Sequence, residues 1–286
     1  MPPRRPGPVP VLPLRQAAEG GPTVHLVHPG ALAAQVHRTL AEALPEGVGL
    51  TVLDISALPE YGEAALTGGR ADTTVEALAD WLATELTQPQ FSLVGWSFGG
   101  VVAQAAVERL PAERRPERLV LLDSIAPTEE YQQPDEALEP PLLLGWFAMY
   151  LGAKRGRPVP LDPAALAGRG VDDGLPLVLD AATASGALLP DTPLPGLRKL
   201  YDTYVDGLLR NNRLTAPYRP RPSSVPLVLV KAERSLIPED PTLGWQPLAP
   251  HGLDLAVAPG DHYTMLTRPD AAQVIARLVH PAPGPV

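Results

Sequence analysis

The segment Gly95-Trp96-Ser97-Phe98-Gly99-Gly100 has the residue types and spacing for nucleophilic chemistry. A serine with glycines two before and two after it can sit on a strained turn between a strand and a helix, its hydroxyl exposed to attack an acyl carbon. The glycines matter sterically, because side chains there would strike the neighbouring strand and helix. The following helix aims its N-terminus at the negative charge that develops during attack. A serine of ordinary pKa needs a base, and the chain offers His25, His28, His37, His251, His262 and His280. In the chain order serine, acid, histidine the base follows the last strand, which singles out His262 in Pro259-Gly260-Asp261-His262-Tyr263-Thr264-Met265-Leu266. His251 precedes that strand, His280 lies in the tail, and His28 reads as a strand-end residue.

An acid that orients the imidazole and stabilises its charged form has two candidate positions. Asp123 ends the run Leu119-Val120-Leu121-Leu122, while Glu233 follows the run from Pro226 to Val230, with Glu239 and Asp240 a little further on. Position alone leaves Asp123 and Glu233 both open. The oxyanion donors should be the backbone N–H of Phe98 and one from the loop His28-Pro29-Gly30-Ala31-Leu32. Pro29 has no N–H, so the second donor is Ala31 in preference to Gly30.

These residues need a scaffold of alternating elements. Thr23 to His28 is a short apolar run bounded by Pro22 and Pro29-Gly30 and reads as a buried strand. Leu32, Val36, Leu40 and Leu44 share a helical face that Pro45 stops. Leu50 to Leu53 is a second strand, and Thr73-Thr74-Val75-Glu76 has capping-box form before an amphipathic helix through Leu86. Further strands follow at Phe91 to Val94, Leu119 to Leu122, Pro226 to Val230 and Leu253 to Val257. No proline falls between Phe91 and Leu110, as an uninterrupted strand and helix require. Strands alternating with helices imply crossovers, hence an α/β fold with a mostly parallel sheet and helices on both faces. From about Pro127 to Pro222 the alternation breaks, and a stretch of that length should be a mostly helical insertion over one edge of the sheet.

Composition narrows the function. The 286 residues carry 23 Lys and Arg against 32 Asp and Glu, a net charge of −9, which argues against binding a phosphate backbone. The absence of cysteine removes disulfides, thiol nucleophiles and thiolate metal sites. The N-terminal segment has no apolar signal core and no long apolar span, so a soluble, cytoplasmic protein without membrane partners is expected. Proline-rich residues 1–22 read as an extended linker, and residues 281–286 as a tail.

The chain resembles the thioesterase domains that terminate nonribosomal peptide and polyketide synthases, from about Val11 through Leu278. The resemblance is carried by Leu26-Val27-His28-Pro29-Gly30, Gly95-Trp96-Ser97-Phe98-Gly99-Gly100, Leu119-Val120-Leu121-Leu122-Asp123-Ser124, Leu243-Gly244-Trp245 and Gly260-Asp261-His262-Tyr263-Thr264-Met265-Leu266. It implies an α/β-hydrolase fold over residues 23–280, Asp123 as the acid, and the insertion at about 127–222 as a lid. It also implies an acyl or peptide substrate held on the phosphopantetheine of an upstream carrier protein, and residues 1–22 as the remains of an interdomain linker; no bound cofactor or metal is expected, because a triad and oxyanion donors suffice for acyl transfer. The lid residues Trp146, Phe147, Met149, Tyr150, Tyr201 and Tyr204 are too many large apolar groups for a solvent-facing insertion and are expected to line the acyl pocket. An apolar lid that excludes water favours macrocyclisation over hydrolysis. A free-standing editing (type II) thioesterase and a carboxylester hydrolase of the same fold are the rival readings. Many members have a second glycine and an aromatic residue after His-Pro; this chain has Gly30-Ala31-Leu32, then Val36-His37.

Overall fold

The computed structural model describes residues 10–62, 72–88 and 90–280. The first nine residues of the expected linker and the whole of the expected tail, 281–286, lie outside that description. In chain order the elements are β1 (Val11–Arg15), β2 (Thr23–His28), α1 (Arg38–Ala43), β3 (Gly49–Asp54), α2 (Pro59–Gly62), α3 (Val75–Glu85), β4 (Phe91–Trp96), α4 (Phe98–Val107) and β5 (Leu119–Leu122). Four inserted helices follow: α5 (Pro140–Arg155), α6 (Pro163–Leu166), α7 (Val171–Ala184) and α8 (Leu194–Thr215). The chain then returns through β6 (Leu227–Arg234), β7 (Leu253–Asp261) and α9 (Pro269–Val279).

Among the described residues the strands form one seven-stranded sheet in the order β1-β3-β2-β4-β5-β6-β7. Only β1 is antiparallel to its neighbour; every other pair is parallel. Parallel strands need covered faces, and the apolar side chains divide accordingly. Leu26, Val52, Val94, Val120 and Val228 point to a core shared with α1, α9 and the inserted helices. Val27, Leu53, Leu93, Leu121 and Leu229 point to the opposite core, under α3 and α4. Chain order reverses at β2, which has β3 on one side and β4 on the other, and such a switch point opens a crevice beyond the strands' carboxyl ends. His28 and Ser97 both lie at that edge.

Three expectations are corrected. Residues 11–15 are a packed strand where extended linker was expected: β1 pairs with β3, Leu12 and Leu14 pack on the core, and Arg15 Nη1–H donates to the Ala41 and Leu44 carbonyls at 2.9 and 2.8 Å. Those carbonyls end α1 and lack partners within it. Pro13 is tolerated because β1 is an edge strand. The cap of α3 is Thr74, whose hydroxyl accepts the Ala77 N–H at 3.1 Å, which puts Glu76 one residue short of a reciprocal box begun at Thr73. The Leu32 to Leu44 face is split into a 3₁₀ turn, Ala34–His37, and α1, with Leu32 held in the preceding loop. The insertion is largely helical, as expected.

Candidate active site

Ser97 stands between β4 and α4 at φ 53° and ψ −130°, a conformation that an L residue adopts only under constraint. A Cβ on Gly95 would fall 2.4 Å from the Gly100 Cα, and one on Gly99 would fall 2.3 Å from the Val27 carbonyl oxygen. The flanking glycines are therefore obligatory, as the spacing indicated. Ser97 N–H donates to Leu122 O at 3.0 Å, tying the turn to β5. Phe98 opens α4, so its N–H has no acceptor a turn earlier in the helix.

His262 and Asp123 come from the ends of β7 and β5 and meet Ser97. The imidazole Nδ1–H donates to Asp123 Oδ2 at 2.7 Å, and the Ser97 hydroxyl lies 3.1 Å from Nε2, which is left free to accept its proton. Asp123 and His262 are both buried. Asp123, at φ 42°, is fixed further by its N–H to Val230 O and by Oδ1, which accepts the Ala232 N–H, both at 2.9 Å. Of the two acids left open by position, Asp123 reaches the imidazole; Glu233 is exposed on β6, and Asp240 caps its own turn through Thr242 and Gly244.

Two tryptophans hold this arrangement. Trp96 Nε1–H donates to the His262 carbonyl at 3.0 Å, and its ring lies 5.3 Å from the imidazole. Trp245 Nε1–H donates to the Ser124 carbonyl at 2.8 Å, and Leu243 O accepts the Ala126 N–H at 2.8 Å. The Leu-Gly-Trp segment is thus a brace for the chain just after Asp123. In the sequence this segment enters only as part of the resemblance, with nothing local to signal its bracing contacts.

Ala31 adopts φ 66°. Its loop is closed by His28 Nε2–H, which donates to Leu32 O at 2.9 Å, and His37 Nε2–H donates in turn to His28 Nδ1 at 3.0 Å. Burial pushes both imidazoles below the ordinary histidine range, and His37 lower still because His28 is beside it. Neutral rings are what the chain requires, since His28 must accept on one nitrogen and donate from the other.

The six aromatic and sulfur side chains expected to line a pocket divide into two groups. Phe147, Tyr150, Tyr201 and Tyr204 are no more than 7% exposed and pack in the core. Tyr150 stacks on Tyr204 at 4.8 Å, Phe147 meets Tyr201 edge-on at 5.3 Å, and the Tyr204 hydroxyl lies 2.8 Å from that of Tyr263, the residue after His262. Burial raises the Tyr204 and Tyr263 phenols, which stay neutral. Trp146 and Met149 are half-buried, and Trp146 Nε1–H donates to Leu236 O at 3.3 Å. Among the described residues no metal-ligating cluster forms, and no helix is long and apolar enough to cross a membrane.

The family model described as thioesterase domain matches residues 22–282. Erythronolide synthase EryA3 of Saccharopolyspora erythraea is 37% identical over 79 residues, 28% of this chain and 2% of that one. The structure of holo-AB3403, a four-domain nonribosomal peptide synthetase bound to AMP and glycine, is similar at 26% identity and a TM-score of 0.64, covering 97% of this chain and 20% of that one. The chain thus spans a small part of both of these relatives. YbtT, a type II thioesterase from the yersiniabactin pathway, matches at 15% identity and a TM-score of 0.57 over 96% of this chain and 98% of its own, a likeness of fold.

Proposed function

The chain belongs to the thioesterase domain family, and from that premise we propose that it is a serine thioesterase that releases a peptide or peptide–polyketide chain from the phosphopantetheine of an upstream carrier domain. The observation that carries this reading is the continuous hydrogen-bonded line Asp123–His262–Ser97, at 2.7 and 3.1 Å.

In the first half-reaction Ser97 Oγ attacks the thioester carbonyl while His262 Nε2 takes its proton and Asp123 holds Nδ1–H. The oxygen of the tetrahedral intermediate accepts from the Phe98 and Ala31 N–H groups. Collapse breaks the C–S bond, His262 returns the proton to the departing thiol, and the acyl group remains on Ser97 as an ester. In the second half-reaction His262 takes a proton from water, or from an amine or hydroxyl of the acyl chain, as that group attacks the ester carbonyl; collapse breaks the bond to Ser97 Oγ, His262 returns the proton to Ser97, and the product is the free acid or a ring. The tyrosine-rich helices α5 and α8 would act as a lid that excludes water and favours ring closure, since a tethered nucleophile has a large effective concentration. Of the lid residues, half-buried Trp146 and Met149 would meet the acyl chain.

The test is to incubate the protein with a carrier domain bearing a peptidyl-phosphopantetheine thioester and to weigh protein and products. A Ser97 adduct, with a product either equal to the acid or lighter by one water, supports the reading. Turnover of short acyl groups in preference to peptidyl groups on the carrier moves it to an editing thioesterase. Turnover of simple esters with no action on the carrier moves it to a carboxylester hydrolase.

A further inference from the structure

Helix α8 touches the candidate site at two places six to seven residues apart. At Tyr204 it meets Tyr263, beside His262. At Arg210 and Asn211 it meets Tyr61: Arg210 Nη2–H donates to the Tyr61 hydroxyl at 2.8 Å, and that hydroxyl faces Asn211 Oδ1 at 2.8 Å and Pro29 O at 3.0 Å. The guanidinium also lies 3.8 Å over the Tyr61 ring, whose plane is parallel within 4° to that of Phe98. Arg210 is buried, and among the described residues its hydrogen bonds go to Tyr61 and Asn211 with no carboxylate among them. Burying that cation is costly, and its charge falls on Tyr61, on which Asp54 acts as well. Burial pushes the phenol up to about 12 despite Arg210, so the hydroxyl keeps its proton, and the donated Arg210 hydrogen bond polarises it as a donor.

The Pro29 carbonyl lies one peptide plane before the Ala31 N–H. The Tyr61 hydroxyl, its one proton shared between Asn211 Oδ1 and Pro29 O, and His28 at Leu32 O hold the loop from its two ends, and only Gly30 and Ala31, at φ 99° and 66°, lie between them. We propose that Tyr61 and Arg210 are positioning residues of the oxyanion site, through which α8 sets the direction of the Ala31 N–H. Full transition-state stabilisation then requires α8 to be seated as it is in this structure. The inference rests on the reading of Ala31 as an oxyanion donor given above.

The test compares wild type with Tyr61→Phe, which keeps both ring contacts and deletes one oxygen, and with Arg210→Gln. Active sites are counted by fluorophosphonate labelling, and turnover is measured on octanoyl-N-acetylcysteamine. A trifluoromethyl ketone of the same acyl chain, which forms an oxyanion on Ser97, reports on the donors directly. Both variants should lower kcat per labelled site about tenfold with KM little changed, and should weaken the ketone by the same factor, a fraction of the loss caused by deleting a donor outright. Amide hydrogen exchange at Gly30 to Leu32 should quicken in parallel. Unchanged kcat and ketone affinity in Tyr61→Phe, with only a lower melting temperature, overturn the proposal. If wild type is neither labelled at Ser97 nor active, the thioesterase reading fails, and unchanged loop exchange in Tyr61→Phe then overturns the positioning role on its own.

Discussion

Asp123 Oδ1 accepts the Ala232 N–H at 2.9 Å, so β6, the strand that carries the exposed Glu233, gives a backbone donor to the candidate acid on β5's end. Asp123→Asn should lower thioester turnover by about 10⁴, the loss seen when an amide forces the wrong imidazole tautomer. Glu233→Gln should leave it within about twofold, since surface changes away from a site have small effects. The reverse ranking would transfer the role to Glu233.

Ser97→Ala should abolish labelling by phenylmethylsulfonyl fluoride or a fluorophosphonate, read as the loss of the mass shift on the peptide containing residue 97. Because the strained turn is held by Gly95, Gly99 and the Ser97 N–H, the variant should melt close to wild type. Labelling that survives removes Ser97 from the mechanism.

The inserted helices should separate stability from selectivity. Phe147→Ala, in the buried cluster, should cost about 3–5 kcal/mol in urea unfolding without changing the preference among acyl thioesters. Trp146→Ala and Met149→Ala, at half-buried positions, should change that preference. Selectivity that moves with Phe147 and not with Trp146 or Met149 would contradict the assignment.

Trp245→Phe keeps most of the buried ring and removes the donor to Ser124 O. That leaves a buried carbonyl unpaired, at a cost of about 1–3 kcal/mol. Differential scanning calorimetry should show the drop. Turnover per folded molecule should fall too, because the brace stands one residue from Asp123.

The segments that meet at the candidate site were legible because each needs a rare local pattern. The glycines around Ser97 answer to a steric demand of the turn, and His262 is the histidine that follows the last strand. Strand β5 matched its predicted bounds, and β2 did so because proline and glycine bracket it. Position left Asp123 and Glu233 open because the run Pro226 to Val230 reads as ending before Glu233; β6 in fact continues to Arg234, so Glu233 lies within the strand while Asp123 follows β5. Strand β1 was missed because two flanking signals conflicted. Its prolines favour extended linker, while its place in the sheet depends on an antiparallel partner some forty residues away. The roles of Tyr61, Arg210 and Trp245 arise from contacts over 30 to 150 residues of sequence, to which no local period corresponds.

Burial also predicts a response to acid. His25 in β2 has no hydrogen-bond partner on either ring nitrogen, and burial lowers its pKa from 6.5 to about 4. Above pH 6.5 the ring is neutral in both folded and unfolded chains, and this group leaves stability flat. Between 6.5 and 4 the unfolded chain takes up a proton that the folded one refuses, so stability falls with pH by about 1.4 kcal/mol per unit. Urea unfolding at pH 7.0 and 4.5 should show a shallower loss for His25→Leu than for wild type, and equal slopes would mean that His25 is charged in the folded protein.

The two margins of the sheet have unlike colloidal consequences. At one margin Pro13 interrupts the row of backbone donors that another chain would need for pairing. At the other, β7 presents Leu255 and Val257, 52% and 62% exposed, with Asp254 as an adjoining gatekeeper charge. At neutral pH the net charge of −9 keeps copies apart. Close to the isoelectric point, about 5.2, that repulsion vanishes. Precipitation on mild acidification would then start from the β7 margin, and a single lysine in place of Val257 should widen the range of pH over which the protein stays in solution.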